Sequence, residues 1–211
     1  MRRIKTLSLA VTALFAPMVS LAGDNTALPV SGKITATSCE LSFTGKDTVD
    51  LGSVYANEFV AGEDKVLGET GAFITVDCHG RPAKFRLKAS DTSGSVASTP
   101  GAAHYGLGMN GEKPIGYFRL GIAADIMPAN HFVLKSTDGG LGHAWGAPVR
   151  DNVAFDHDDE AYAFAASAAA TEPASLSVLG FLLSIRPVLA KDPVVTDDVA
   201  LAGQVTLEVL Y

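Results

Sequence analysis

Residues 201–211, LAGQVTLEVLY, alternate in hydrophobicity along their whole length. A period of two predicts a β-strand, because successive side chains of a strand point to opposite faces. We expect the more apolar face to be buried against a sheet. The pattern leaves two interpretations open, the closing strand of a complete sandwich or a strand that also binds another protein. The apolar face consists of Leu201, Gly203, Val205, Leu207, Val209 and Tyr211.

The first 22 residues have the pattern of a secretory signal peptide. Three basic residues precede an apolar run over 7–21, and small residues lead to a cleavage site expected after Ala22. The run is short and contains Pro17, so a membrane-spanning helix is the weaker interpretation. We predict an exported protein whose mature part is one domain over residues 23–211 without an integral membrane segment.

The charge of the chain excludes some partners. The formal net charge is −7, and removal of the three basic residues of the leader lowers it to −10. An acidic protein of this kind is not expected to bind nucleic acid or an anionic membrane surface.

The chain has two cysteines, Cys39 and Cys78. An even number of cysteines in an exported protein favours a disulfide, and two cysteines allow only one pairing. Two free buried thiols are the alternative. A zinc site would need more ligands than these cysteines and the adjacent His79 supply.

Short alternating segments with turn residues between them predict an all-β fold. The segments 72–78 and 83–89 alternate clearly and flank the turn HGRP, so we expect them to form a hairpin. Residues 91–114 are rich in Gly, Ser, Ala and Pro and are expected to form a long surface loop. With little helical periodicity, the pattern is typical of an antiparallel sandwich. Further strands are predicted at 29–38, 41–43, 49–55, 115–123, 131–136, 176–190 and 201–211. Residues 160–170 are ambiguous, because alanine favours a helix while Tyr162 and Phe164 alternate as in a strand, and we predict a strand that runs into a loop.

No residue pattern predicts catalysis or a cofactor, so we expect the protein not to be an enzyme. The five histidines are scattered without a metal-binding motif, and no G-x-S-x-G nucleophile motif occurs. The G-x-G-x-x-G match at residues 106–111 lacks the following helix that a dinucleotide site needs. The acidic run DHDDE at 156–160 lacks the calcium-loop spacing and is expected to be a solvated loop.

Several motifs together resemble the fimbrial (pilin) subunits of bacterial chaperone-usher systems, closest to the uncharacterised fimbrial or P-pilus-assembly-like proteins. They follow the signal peptide in this order: PVSGKITATSC (29–39), ITVDC (74–78), YGLG (105–108), KPIGYFRLGI (113–122) and AGQVTLEVLY (202–211). The resemblance spans nearly the whole mature chain.

The resemblance implies an incomplete immunoglobulin-like antiparallel sandwich with one disulfide, Cys39–Cys78, and a groove beside the C-terminal strand. In this family a periplasmic chaperone fills the groove, and the N-terminal extension of the neighbouring subunit replaces it after passage through an outer-membrane usher. Residues 201–211 match the chaperone-binding strand. Thr26, Leu28 and Val30 would be the donor side chains, and the protein would pass through the periplasm to the fimbrium at the cell surface.

Two features depart from the family pattern. The terminal tyrosine, Tyr211, is last rather than next to last, and only about ten residues precede KITATSC. A short donor segment suits a minor or atypical subunit. The alternative function is a carbohydrate-binding, lectin-like adhesin, whose loops 91–114 and 135–152 would present Tyr105 or Trp145 to a sugar.

Overall fold

The structure is a computed structural model that describes residues 38–44, 48–142, 144–193 and 197–211. The predicted signal peptide, most of the predicted strand at 29–38, and the donor candidates Thr26, Leu28 and Val30 lie outside these residues. No helix within the described ranges is long and apolar enough to cross a membrane.

The described residues form strands and two short 3₁₀ helices, which confirms the all-β prediction. The helices are Ala56–Glu58 and Ala124–Ile126. The strands are β1 (Glu40–Thr44), β2 (Lys65–Val66), β3 (Thr70–Asp77), β4 (Arg86–Asp91), β5 (His104–Gly106), β6 (Met109–Asn110), β7 (Lys113–Pro114), β8 (Gly116–Ala123), β9 (Phe132–Ser136), β10 (Asn152–Ala154), β11 (Ala161–Ala165), β12 (Val178–Leu189) and β13 (Val205–Leu210).

Two antiparallel sheets contain most of these strands. The larger sheet has the order β1-β3-β12-β8-β10, with β2 also paired to β12 and β5 also paired to β8. The smaller sheet has the order β13-β4-β11-β9, and β6 and β7 form a separate hairpin. This arrangement is an antiparallel sandwich consistent with an immunoglobulin-like fold.

The core lies between the inner faces of the two sheets. In β3 and β12, the buried residues alternate with more exposed ones, as expected when one sheet face is covered. Burial of each large aliphatic or aromatic side chain contributes roughly 1.5–3 kcal/mol, so burial of the inward side chains is the main source of stability. The core includes Ile74, Val76, Leu87, Phe118, Leu120, Tyr162, Phe164, Phe181 and Leu183.

The disulfide prediction is confirmed. Cys39 precedes β1 and is bonded to Cys78, which directly follows β3 and is completely buried. The bond closes a sequence separation of 39 residues and ties the edge strand β1 to its neighbour.

The predicted hairpin between residues 72–78 and 83–89 is wrong. These segments correspond to β3 and β4, which belong to different sheets. The turn between them passes through left-handed backbone at His79 (φ 53°) and Gly80 (φ 72°), and it carries the chain from one sheet to the other. Alternation is the same for strands paired within a sheet and for strands that face each other across a sandwich, so it could not distinguish the two arrangements.

Two loop regions also differ from the prediction. Residues 49–55 form no strand and lead into the helix Ala56–Glu58. The predicted surface loop 91–114 contains β5, whose Tyr105 is completely buried. Tyr105 is an aromatic residue within this Gly-rich stretch, and a large apolar ring there could have indicated a segment that packs into the core.

Candidate functional site

The candidate site lies where two edge strands, β1 of the larger sheet and β13 of the smaller sheet, contact each other. β13 pairs only with β4 among the described strands, and its Leu207 lies opposite Ala89. β13 is shorter than predicted, since it begins at Val205 rather than at Leu201.

The chain before β13 crosses the sandwich instead of extending the strand. The amide of Ala202 donates to the carbonyl of Leu107 at 3.0 Å, and Leu201 packs against the core. A Cβ atom on Gly203 would lie only 2.5 Å from Cε1 of Phe118. Glycine at position 203 therefore permits the backbone to lie close to the Phe118 ring. Leu201 and Gly203, which were predicted as part of the strand, lie outside β13.

The inward side chains of β13 are incompletely covered. Val205, Leu207 and Val209 pack against the core but are only half-buried. On the neighbouring strand β4, Leu87 and Ala89 are 0% and 2% exposed. The sudden loss of coverage from one strand to the next shows that the core continues to the edge of the smaller sheet without a described strand covering it.

Every second residue of β13 also directs its main-chain N–H and C=O groups to the side of the strand that faces away from β4. The amide of Thr92 donates to the carbonyl of Gln204 at 3.1 Å, so this pair is a hydrogen-bonded pair of the β4–β13 ladder. Hydrogen-bonded and non-hydrogen-bonded pairs alternate in an antiparallel ladder. The N–H and C=O groups of Val205, Leu207 and Val209 therefore face away from β4, toward a side where no described strand pairs with them.

β1 provides the other side of the site. It pairs only with β3 among the described strands. Its inward residues are Leu41, which is half-buried, and Phe43, which is 38% exposed. We call these two residues together with Val205, Leu207 and Val209 the open edge.

Tyr211 connects the two strands at one end of the open edge. Its hydroxyl donates to the carbonyl of Cys39 at 3.1 Å and accepts a hydrogen bond from the Cys39 amide. Nη1 of Arg86 donates to the main-chain oxygen of Tyr211 at 3.1 Å. Because Cys39 belongs to the disulfide, Tyr211 and the disulfide together hold the start of β1 beside the end of β13.

The two aromatic residues considered for sugar stacking are not free platforms. Tyr105 is buried and donates its hydroxyl proton to the carbonyl of Phe155 at 2.8 Å. Trp145 is half-buried on the outer face of the smaller sheet, where it packs against a small cluster around Leu134 and Ala163. Both residues therefore have structural roles.

A partly buried ionic cluster was missed by the sequence analysis. Nζ of Lys135 lies 2.6 Å from Oδ2 of Asp156 and 2.6 Å from Oε2 of Glu160, both in the acidic run expected to be solvated. Asp156 is 8% exposed, and Tyr162 donates to Glu160 at 2.9 Å. The alternation of β9 contained a signal, since Lys135 shares the parity of the core residue Val133.

The two carboxyl groups of this cluster have opposite pKa shifts. Burial and the hydrogen bond with Asp156 raise the pKa of Glu160. Burial also opposes ionisation of Asp156, but hydrogen bonds from Glu160 and Lys135 outweigh it and keep the pKa of Asp156 below its usual value. The cluster therefore eases ionisation of Asp156 beside Lys135 and opposes ionisation of Glu160.

No protein-family model matches the chain. No curated protein matches its sequence.

Proposed function

We propose that the protein is a structural subunit of a surface fimbria, exported to the periplasm and assembled by donor-strand exchange through a periplasmic chaperone and an outer-membrane usher. The observation that supports this proposal is the open edge. Two edge strands of opposite sheets lie side by side, with half-exposed apolar side chains and outward-facing main-chain groups.

An added β-strand is the occupant that satisfies both features. Its main chain would pair with the N–H and C=O groups of Val205, Leu207 and Val209, and every second side chain would cover the core. A small molecule would leave most of these groups unpaired. A helix would not pair with them, because its own backbone bonds are already satisfied.

The donor is supplied by neighbouring subunits. The segment 23–37 carries Thr26, Leu28 and Val30 at alternating positions, so it presents a row of side chains of the right period. The open edge and this segment make each copy both an acceptor and a donor, which is what a linear polymer requires. An exposed edge of this kind pairs with other chains unless it is covered, and covering it before assembly at the usher is the role we propose for the chaperone.

Hydrogen exchange with an added peptide tests the acceptor role. We expect a peptide of residues 23–37 to slow amide exchange at Val205, Leu207 and Val209, because these amides gain partners. Exchange at Thr206 and Glu208 should change little, since their amides already face β4. A control peptide with Leu28→Asp and Val30→Asp should give no protection, because it would bury unpaired charges.

Absence of protection at all three amides with the unmodified peptide would show that the open edge does not accept this strand. Assembly is a separate question, tested by incubating the exported protein with a periplasmic pilus chaperone and looking for ladders of stable multimers. Leu207→Asp should abolish both chaperone capture and ladders, and Glu208→Gln should preserve them. Protection by the peptide without any multimers would leave a strand-binding protein that is not a fimbrial subunit.

A further inference from the structure

A lysine amine lies between two carboxyl groups at the edge of the sandwich opposite the open edge. Lys135 belongs to β9, the last strand in the order of the smaller sheet, and Asp156 follows β10, the last strand in the order of the larger sheet. Nζ of Lys135 lies 2.6 Å from Oδ2 of Asp156 and 2.6 Å from Oε2 of Glu160. The amine and the Asp156 carboxyl group therefore bring the two sheets into contact at this edge.

This cluster differs from the other ion pairs between lysines and carboxylates within the described ranges. In each of those pairs the lysine contacts a single carboxylate, whose side chain is 43% to 98% exposed. The side chains of Asp156 and Glu160 are only 11% and 15% exposed, so both carboxyl groups at Lys135 are shielded from water. The pairs compared are Lys65 with Glu58, Lys84 with Glu172, and Lys88 with Asp159.

The carboxyl group of Asp156 is held in place through its main chain. The amide of Asp156 donates to Oη of Tyr162 at 2.8 Å. In the preceding residue, the amide of Phe155 donates to the carbonyl of Leu120 at 3.0 Å, and Oη of Tyr105 donates to the carbonyl of Phe155 at 2.8 Å. Well-oriented groups within one molecule react as though one of them were present at on the order of 10⁵–10⁸ M. The fixed carboxyl group therefore favours a reaction with the adjacent amine.

Glu160 has the properties of a group that transfers protons. Oη of Tyr162 donates to its Oε2 at 2.9 Å, and burial followed by the hydrogen bond with Asp156 raises the pKa of Glu160. A carboxyl group with a raised pKa accepts and returns a proton more readily near neutral pH. Burial opposes the charge of Lys135, but hydrogen bonds with both carboxyl groups outweigh it and raise the pKa of Lys135. The ion pair is therefore the starting state of any reaction.

We propose that Nζ of Lys135 forms an amide bond with Cγ of Asp156, with Glu160 transferring a proton. A proton first moves from the Lys135 ammonium group to Oδ2 of Asp156, which leaves a neutral amine beside a carboxylic acid. The nitrogen lone pair then attacks Cγ, and the Glu160 carboxylate accepts a second proton from Nζ. Glu160 returns this proton to the Oδ2 hydroxyl group, which leaves as water when the C–O bond breaks.

The reaction is a condensation in which nothing is oxidised or reduced. The released water carries Oδ2 of Asp156 and two protons of Lys135, the amide nitrogen keeps the third proton, and Glu160 ends as the carboxylate it was at the start. The Lys135 side chain is 38% exposed, so the water has a path to solvent.

The amide bond would join the two sheets covalently at the edge where β9 and β10 lie. The disulfide between Cys39 and Cys78 lies at the other edge, where it ties β1 to β3. The two cross-links together would restrain both edges of the sandwich. The cluster contains no residue of the open edge, so the proposal does not depend on the proposed function.

Mass spectrometry of the purified protein, denatured and with its disulfide reduced, tests the proposal. We expect the intact mass to be lower than the mass calculated from the sequence by one water molecule. A tryptic digest should contain a branched peptide in which fragmentation locates the bond between Lys135 and Asp156. Fragmentation is needed because an aspartate followed by glycine, such as Asp138, can lose water by cyclising without joining two segments.

Asp156→Asn separates bond formation from a purely structural ion pair. Its side-chain carbon accepts the same attack with ammonia as the leaving group, so its final mass should equal that of the cross-linked wild type. Lys135→Arg and Glu160→Gln should retain their full calculated masses, because the first lacks the amine and the second lacks the carboxylate that transfers the proton. Lys84→Arg is the matched control, since it removes the amine of an exposed ion pair at 2.8 Å and should keep the loss of water.

A wild type of full calculated mass would overturn the proposal. A branched peptide bonded at Glu160, or a loss of water that persists in Lys135→Arg, would also overturn it. Circular dichroism checks that each variant is folded, and the measurements on the wild type and on Asp156→Asn stand even if Lys135→Arg does not fold. A cross-link that still forms in folded Glu160→Gln would contradict the role of Glu160.

Discussion

Truncation of Leu207 distinguishes an open sandwich from a complete one. Leu207 is half-buried and packs against the core. A fully buried Leu→Ala change costs about 2–5 kcal/mol, so the half-covered side chain should cost about 1–2 kcal/mol in the protein alone. When an added strand covers the open edge, the same side chain becomes fully buried, and its truncation should then cost the whole of about 2–5 kcal/mol.

The measurement is urea unfolding of four proteins. The wild type and Leu207→Ala are each compared with and without a donor segment, residues 23–37, fused through a flexible Gly/Ser linker after residue 211. The difference between the two truncation costs is the quantity of interest, and we expect it to be at least about 1 kcal/mol. The fused strand should also raise the unfolding midpoint of the wild type, because it buries apolar surface and satisfies main-chain groups.

Glu208→Ala is the control for a general effect of substitution in β13, since Glu208 points outward and is exposed. It should change stability by no more than about 0.5 kcal/mol in either form. Equal costs for Leu207→Ala with and without the fused strand would refute the reasoning, because they would show that no strand covers Leu207 in the fusion.

Three other predictions concern the disulfide, Tyr211 and the ionic cluster. Cys78→Ala should lower the free energy of unfolding by about 4 kcal/mol, because the unfolded chain is no longer constrained by the loop that the disulfide closes. Alkylation of the folded wild type without reductant should add no mass, and a labelled thiol would contradict the bond. Tyr211→Phe should cost about 0.5–1.5 kcal/mol in urea unfolding, since it removes the hydroxyl bonded to Cys39; no change in stability would show that this contact does not hold β1. The pKa of Glu160 is raised in the folded protein, so the folded state binds this proton more tightly than the unfolded state does. The stabilisation from protonated Glu160 is complete below the ordinary glutamate pKa, and it is lost as the pH rises through the pKa of Glu160 in the folded protein. Glu160→Gln should therefore gain stability relative to wild type as pH rises from about 4 to 7, and unfolding curves whose difference is independent of pH would exclude this coupling.

The local pattern of the sequence predicted most of the longer strands and the direction of most of their side chains. Alternation within the predicted strands 72–78 and 115–123 gives Ile74 and Val76 one common face and Phe118 and Leu120 another, and all four residues are buried. This works because side-chain direction in a strand depends only on residue parity. The pairing of Cys39 with Cys78 was equally accessible, because two cysteines have one pairing.

The candidate site was only partly accessible to sequence reasoning. The inward positions Val205, Leu207 and Val209 were predicted correctly as the apolar face of a strand, and they pack against the core. Leu201 and Gly203 have the same parity but lie outside β13, and the amide of Ala202 between them bonds to the carbonyl of Leu107 instead. Periodicity reports which residues share a face, and it does not report where pairing stops.

The sequence by itself determined an all-β chain with one disulfide and a strongly alternating last segment. The tertiary structure decided that β3 and β4 lie in different sheets and that β1 and β13 are neighbouring edges. It also placed Lys135 between Asp156 and Glu160. These are contacts between residues distant in sequence, and local hydrophobic periodicity is the same whichever strands become neighbours, so only the folded arrangement can specify them.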